Sequence, residues 1–248
     1  MTVVGSRPDA AAADARQDPV ARLAAPPPWW DDVLFRAFRF GVRTFSRLWF
    51  GARVEGSLPA QGPYVIAANH ASFLDPLVLG SMSRPRIIYL MTETVWRSPR
   101  LGWFYRWSRT IPLSSRGGNR DALRAARAVL EQGRVVGIFP EGGLSRDGQP
   151  LLGNPGAVAL VLQAGVPIVP VGIVGAHDAM PPGVALPRRR RITIRCGEAI
   201  AAAEFDRLGG GDRKARLREA TRLIMQRIAA LTGHVAREDV LAPPPPAG

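Results

Sequence analysis

His70 and Asp75 stand five residues apart in the segment ANHASFLDP, residues 68–76, directly behind the apolar run YVIA at 64–67. The chain has only three histidines, and this one sits where a carboxylate can reach it. An imidazole held by a carboxylate at one ring nitrogen is a general base at the other. On one continuous helix, residues five apart lie about 140° apart around the axis and would not meet. The pair is useful only if a loop leads into a helix. Asp75 followed by Pro76 has the form of an N-cap and a first-turn proline, which predicts a helix opening at the aspartate and a His70 loop folding back onto it. A capping aspartate beside a loop histidine is the plainer account of this spacing alone.

Two further segments carry groups that suit an anion. Phe139-Pro140-Glu141-Gly142-Gly143-Leu144-Ser145-Arg146 follows the apolar run at 135–138, and the backbone of Gly142 and Gly143 can present N–H groups to a phosphate. Arg116 closes IPLSSR at 111–116, just past a short β-like run. Taken singly, the first is a turn after a strand and the second a solvated arginine. No G-x-S-x-G elbow occurs, and Ser72 has no evident second base. Cys196 reads as a small buried side chain.

The elements that must position these groups alternate. Strand candidates are 53–56, 64–68, 86–91, 110–113, 134–139, 168–174 and 191–196; helix candidates are 74–82, 99–108, 119–131, 155–164 and 212–231. This alternation predicts a single α/β domain with a mostly parallel central sheet covered by helices on both faces. In such sheets the site forms beyond the carboxyl ends of the strands, where the His70, Arg116 and Glu141 segments all fall. The apolar stretch 156–176 is divided by Gly165, Pro167 and Pro170, so it reads as a buried helix running into a buried strand rather than a membrane span of about 20 residues.

An N-terminal helix is expected at Trp29–Phe50. Arg36, Arg39, Arg43 and Arg47 fall in a sector of about 80°, against Trp30, Val33, Leu34, Ala37, Phe38, Phe45, Leu48 and Trp49 on the opposite arc. Tryptophan and phenylalanine suit the headgroup boundary and arginine suits anionic lipid, so the helix is read as interfacial rather than as an ordinary docked surface helix. A second cluster, VWRSPRLGWFYRWSR at 95–109, again interleaves tryptophan with arginine.

The formal charge of the 248 residues is +13. Lys214 is the one lysine, so the charge rests on arginine and persists through neutral pH. An anionic partner follows, whether nucleic acid, phospholipid or a phosphorylated small molecule. No standard nucleic-acid motif accompanies it. One cysteine excludes an internal disulfide and a cysteine-rich zinc site. Residues 1–28 and 236–248 read as disordered tails, and the former lack the apolar core of a secretory signal. The expected layout is a tail at 1–28, an interfacial helix at 29–51, a catalytic domain at 52–235 and a tail at 236–248.

In order, N-H-x4-D at 69–75, an arginine after a short strand at 116, F-P-E-G at 139–142 and V-P-x-x-P-V at 166–171 resemble the signature of the glycerolipid acyltransferase family typified by 1-acyl-sn-glycerol-3-phosphate acyltransferase. The resemblance covers about residues 52–200. It implies His70 as base, Asp75 as its orienting partner, and Asn69, Arg116, Glu141, Gly142, Gly143 and Arg146 as substrate-binding residues. It also implies acyl-CoA or acyl carrier protein as donor and a lysophospholipid acceptor. No metal or cofactor is expected, and the interfacial helix sets the expected place as peripheral, on the cytoplasmic face of the cell membrane. The family's loop commonly continues Thr-Arg-Ser after Glu-Gly, whereas this chain has Gly143-Leu144-Ser145. The lost arginine weakens a plain lysophosphatidic acid acceptor. Acylation of another lipid, thioester hydrolysis by water, and a non-catalytic lipid-binding module of the same fold are the rival readings.

Overall fold

The computed structural model describes residues 23, 28–114 and 118–235. Both expected tails, apart from residues 23 and 28, and the segment 115–117 with Arg116 lie outside the described residues. Helix α1, Trp29–Phe50, runs between Pro28 and a left-handed Gly51, the stops that its sequence supplies. There follow β1 (Arg53–Glu55), β2 (Tyr64–Ala68), α2 (Asp75–Met82), β3 (Ile87–Thr92), α3 (Glu93–Trp96), α4 (Gly102–Trp107), β4 (Ile111–Leu113), α5 (Arg120–Glu131) and β5 (Val135–Ile138). The chain continues through α6 (Gly156–Ala164), β6 (Ile168–Val174), α7 (Ala176–Ala179), β7 (Thr193–Cys196), α8 (Ala202–Phe205) and α9 (Arg213–Thr232). Asp212 caps α9 by accepting from the N–H groups of Lys214 and Ala215.

The strands form one sheet in the order β1-β7-β6-β2-β5-β3-β4, parallel except where β6 meets β7. Strand β2 lies at the middle, pairing Ala67 with Ile138 of β5 on one side and with Pro170 of β6 on the other. Its five residues are all buried, and they divide by the strand's period of two. Val65 and Ala67 join the core that holds α5, α6 and α9 residues, while Tyr64, Ile66 and Ala68 join the core that holds α2 and α7 residues. Both faces of the sheet are covered, as expected. The 156–176 stretch is α6 and β6, and among the described residues no helix is long and apolar enough to cross a membrane.

Helix α1 differs from the usual surface helix. Its apolar arc is largely exposed, with Leu48 74% and Trp30 50% accessible, along with Val33, Leu34, Phe45 and Trp49. Part of the arginine side faces the body instead. Arg39 donates to the carbonyls of Ser83 and Arg84 at the end of α2. Phe38 leaves the expected apolar arc and packs inward, with its ring 5.4 Å from Phe104 and 5.5 Å from Trp107. The buried Asp31 in the first turn pairs with Arg86 at 3.0 Å.

Candidate active site

β2 delivers Asn69 and His70 past the carboxyl edge of the sheet, and parallel pairing brings the end of β5 alongside. Asn69 is buried, and its amide spans to β6: Nδ2 donates to Ile173 O at 3.0 Å, and Ile173 N–H donates to Oδ1 at 2.7 Å. Asparagine is suited to this because it offers one donor and one acceptor at fixed spacing. Its amide is thereby engaged within the sheet and is not turned toward His70.

His70 Nδ1 lies 3.0 Å from Asp75 Oδ2. The same oxygen accepts from the N–H groups of Ala71 and Ser72, each at 2.8 Å. This corrects the capping expectation. Helix α2 begins at Asp75 itself, its flanking residue is Leu74, and no side-chain cap is made. The carboxylate turns back into the loop and fixes the loop and the ring together. Facing a carboxylate, Nδ1 carries the proton, so Nε2 keeps its lone pair. The Asp75 side chain is 0% exposed and that of His70 19% exposed, so the pair is anchored inside and open on the imidazole side.

The 139–146 loop clamps the histidine from the other side. His70 N–H donates to Glu141 Oε1 at 2.8 Å, Leu151 N–H donates to Glu141 Oε2 at 3.0 Å, and Ser145 N–H donates to His70 O at 2.8 Å. Glu141 is fully buried. Burial pushes its carboxyl up to about 8, against the two backbone hydrogen bonds, which pull it down. Its carboxyl is therefore occupied in holding His70 and Leu151.

Gly142 has φ +71, and its N–H donates to Phe139 O at 3.1 Å. That turn needs glycine, and it uses the N–H expected to meet an anion. Gly143 and Arg146 are exposed on the same loop, and a Cβ at Gly143 would meet nothing within 4 Å. The structure therefore brings His70, Asp75, Glu141 and the Gly142-Gly143 turn together, sets Asn69 behind them in the sheet, and leaves Arg146 on the rim.

Three neighbours were not singled out from the sequence. The Phe139 ring stacks on His70 at 4.1 Å and 19°, and Tyr89 stacks behind Phe139 at 5.8 Å and 6°. His177 Nδ1 lies 3.3 Å from Ala71 O. Phe139 follows Ile138, which pairs with Ala67, so knowledge of the strand order would have revealed it. Tyr89 and His177 sit on β3 and α7, whose distance in sequence from His70 gives no signal. The Tyr89 hydroxyl and Asp75 Oδ1 are both buried and make no hydrogen bond. Burial first, then the charge of Asp75, pushes the phenol well above its usual range.

The arrangement can take a proton at Nε2 from a hydroxyl or water brought to the open side of the imidazole. Comparison with known proteins fits that chemistry. The family model described as Acyltransferase matches residues 52–174. The 1-acyl-sn-glycerol-3-phosphate acyltransferase of Bacillus subtilis is 27% identical over 196 residues, 79% of this chain and 90% of that protein. A lyso-ornithine lipid O-acyltransferase of Pseudomonas aeruginosa is 32% identical over 142 residues, 56% of this chain and 54% of that protein. The crystal structure of the 1-acyl-sn-glycerophosphate acyltransferase of Thermotoga maritima superposes with a TM-score of 0.60 at 25% identity, covering 79% of this chain and 84% of that one. On this fold, with His70, Asp75 and the 139–142 motif at its carboxyl edge, the chain carries an acyltransferase-family domain over residues 52–174.

Proposed function

We propose that this acyltransferase moves an acyl chain from acyl-CoA or acyl carrier protein to the free hydroxyl of a lysophospholipid, with 1-acylglycerol-3-phosphate as acceptor. The observation that carries this reading is the His70–Asp75 pair, locked at 3.0 Å on a buried carboxylate with the ring open on its other side. An alcohol is a poor nucleophile, so His70 Nε2 takes its proton as the oxygen attacks the thioester carbonyl, and Asp75 stabilises the imidazolium. Collapse of the tetrahedral intermediate breaks the C–S bond, and the imidazolium proton passes to the departing thiolate. No acyl-enzyme forms. Arg116, which follows β4 in the sequence, and the rim residue Arg146, with Gly143, bind the acceptor's phosphate, because guanidinium forks match phosphate oxygens.

Leu144 favours a second acceptor class. The resemblance puts an arginine there, and a relative bearing the name lyso-ornithine lipid O-acyltransferase lies among the matches. Purified protein incubated with acyl-CoA, with and without a panel of lysolipids, separates the alternatives. Transfer consumes both substrates, hydrolysis needs one, and a binding module releases no free CoA. His70→Ala is expected to lower transfer by ~10²–10⁴; near-normal transfer by a folded His70→Ala protein refutes the mechanism.

The reaction takes place with the protein lying on an anionic membrane surface at the cytoplasmic face. Support comes from the exposed apolar arc of α1 and the exposed Leu101 and Trp103 at the start of α4. Tryptophan beside arginine at such an edge suits a headgroup boundary.

A further inference from the structure

A groove of about 620 Å³ runs between the body side of α1, the end of α2 and the β1–β7 edge of the sheet. Arg43, Arg47, Arg53 and Arg84 line it, Leu79 and Met82 give it apolar surface, and among the described residues no carboxylate lines it. One of the four guanidinium groups is answered nearby, since Arg53 pairs with Glu55 at 2.9 Å. Arg43 Nε is buried and has no hydrogen-bond partner among the described residues. A partly buried guanidinium without an acceptor is costly, and several around one apolar cleft create a field that an anion relieves. His70 stands elsewhere, on the loop after β2, and α2 separates the two places. Asp75 opens that helix and Met82 ends it in the groove, a rise of about 10 Å.

We infer that this groove holds an anionic phospholipid drawn from the bilayer, its phosphate between Arg43, Arg47 and Arg84 and the start of an acyl chain over Leu79 and Met82. The inference rests on the membrane-seated α1 proposed above and deepens it. The same helix that exposes Trp30, Leu34 and Leu48 outward carries Arg43 and Arg47 into the groove. Seating the apolar arc at the acyl boundary places those arginines at headgroup depth, where their stems cross apolar surface and their heads meet phosphate. The lipid is thus an anchor that selects the membrane's charge, held apart from the reacting substrate. A diffuse basic surface would give attraction without stoichiometry; an arginine-lined cleft with apolar walls gives a single site.

The test uses the full chain and short-chain lipid below its micelle concentration, so that no bilayer is present. Isothermal titration with dioctanoyl-phosphatidylglycerol is expected to show one site, with dioctanoyl-phosphatidylcholine and glycerol phosphate each binding about tenfold more weakly or worse. The double variant Arg47→Gln/Arg84→Gln should weaken phosphatidylglycerol binding at least about tenfold. Arg124→Gln/Arg127→Gln removes the same charge from the exposed face of α5 and should bind within about twofold of wild type. All four positions are exposed, and circular dichroism checks each fold. Equal weakening by the two double variants, unaltered binding in the first, or glycerol phosphate binding as tightly as the lipid overturns the inference. Acyl transfer is measured on the same preparations. Wild type that binds lipid but transfers no acyl chain removes the catalytic reading and leaves the groove standing; transfer without lipid binding does the reverse.

Discussion

Glu141→Gln separates a positioning carboxyl from an ordinary surface one by its pH dependence. The side chain is 0% exposed, and burial raises its carboxyl from 4.5 to about 8 despite N–H donors from His70 and Leu151. Ionisation is easier in the unfolded chain than in the folded one. The stability linked to Glu141 is therefore complete below about pH 4.5, falls as pH rises, and is fully lost above about pH 8. Each pH unit between the two values costs about 1.4 kcal/mol, so the whole span of roughly 3.5 units removes about 5 kcal/mol. Glutamine keeps the shape and cannot ionise, but its amide N–H₂ meets one of the two backbone donors. At pH 5 the variant should be about 1–2 kcal/mol less stable than wild type. Between pH 5 and 9 the difference should move in the variant's favour by most of those 5 kcal/mol, crossing zero near about pH 6. Urea unfolding followed by circular dichroism at matched pH values measures both chains. Parallel stability curves would show that Glu141 has the same affinity for its proton folded and unfolded, and the account of the clamp on His70 would be wrong.

Asp75→Asn keeps a hydrogen-bonding side chain in the loop but removes the charge that stabilises imidazolium, so kcat should fall by ~10²–10⁴ with little change in acceptor KM. An unchanged kcat would detach the aspartate from the chemistry. A Cβ at Gly137 would lie 2.6 Å from Ile87 Cγ2 and from the Tyr89 ring, so Gly137→Ala should cost about 1–3 kcal/mol in urea unfolding and lower kcat through the Tyr89–Phe139–His70 stack; full stability would show that the stack yields freely. Replacing Val33, Leu34 and Leu48 together by Ser should leave thermal stability within about 1 kcal/mol, because all three are exposed. Vesicle co-sedimentation at high salt should drop sharply, and equal sedimentation of both chains would remove α1 from membrane contact.

Where the sequence was continuous and β-branched, its reading coincides with the structure. Tyr64–Ala68 and Ile168–Val174 have the expected limits, since Pro63 and Pro167 precede these apolar runs and Asn69 and Gly175 follow them. Strands β1, β4, β5 and β7 are shorter than expected by one or two residues at an end, since Thr110, Arg134 and Arg191 extend the β-like pattern without ladder pairing, and β3 keeps its expected length but is shifted by one, to Ile87–Thr92. Helices α3, α7 and α8 have four residues each, too few to display a period. The His70–Asp75 contact was legible because both partners share one loop. The Glu141 clamp was not, because a motif places a carboxyl near the site without saying which way it points. Its two oxygens meet backbone donors at His70 and Leu151, and only three-dimensional pairing of β2 with β5 creates them.

Helix α1 shows a different limit. Its two faces follow from a period of 3.6, but period alone does not say which face turns inward. The usual assignment puts the apolar arc inside because water is assumed to be the only solvent. Here the body presents carbonyls of Ser83 and Arg84 to Arg39, and the ring of Phe35 lies beneath Arg86 at 3.7 Å, with Asp31 answering the same guanidinium. These contacts satisfy the polar side of the junction and leave Trp30, Val33, Leu34, Phe45 and Leu48 facing outward. In water such an exposed arc is unfavourable by about 25 cal/mol for each Å² of apolar surface left wet. A bilayer boundary removes that cost without disturbing the arginine contacts. The orientation of α1 is therefore intelligible once a second solvent is allowed.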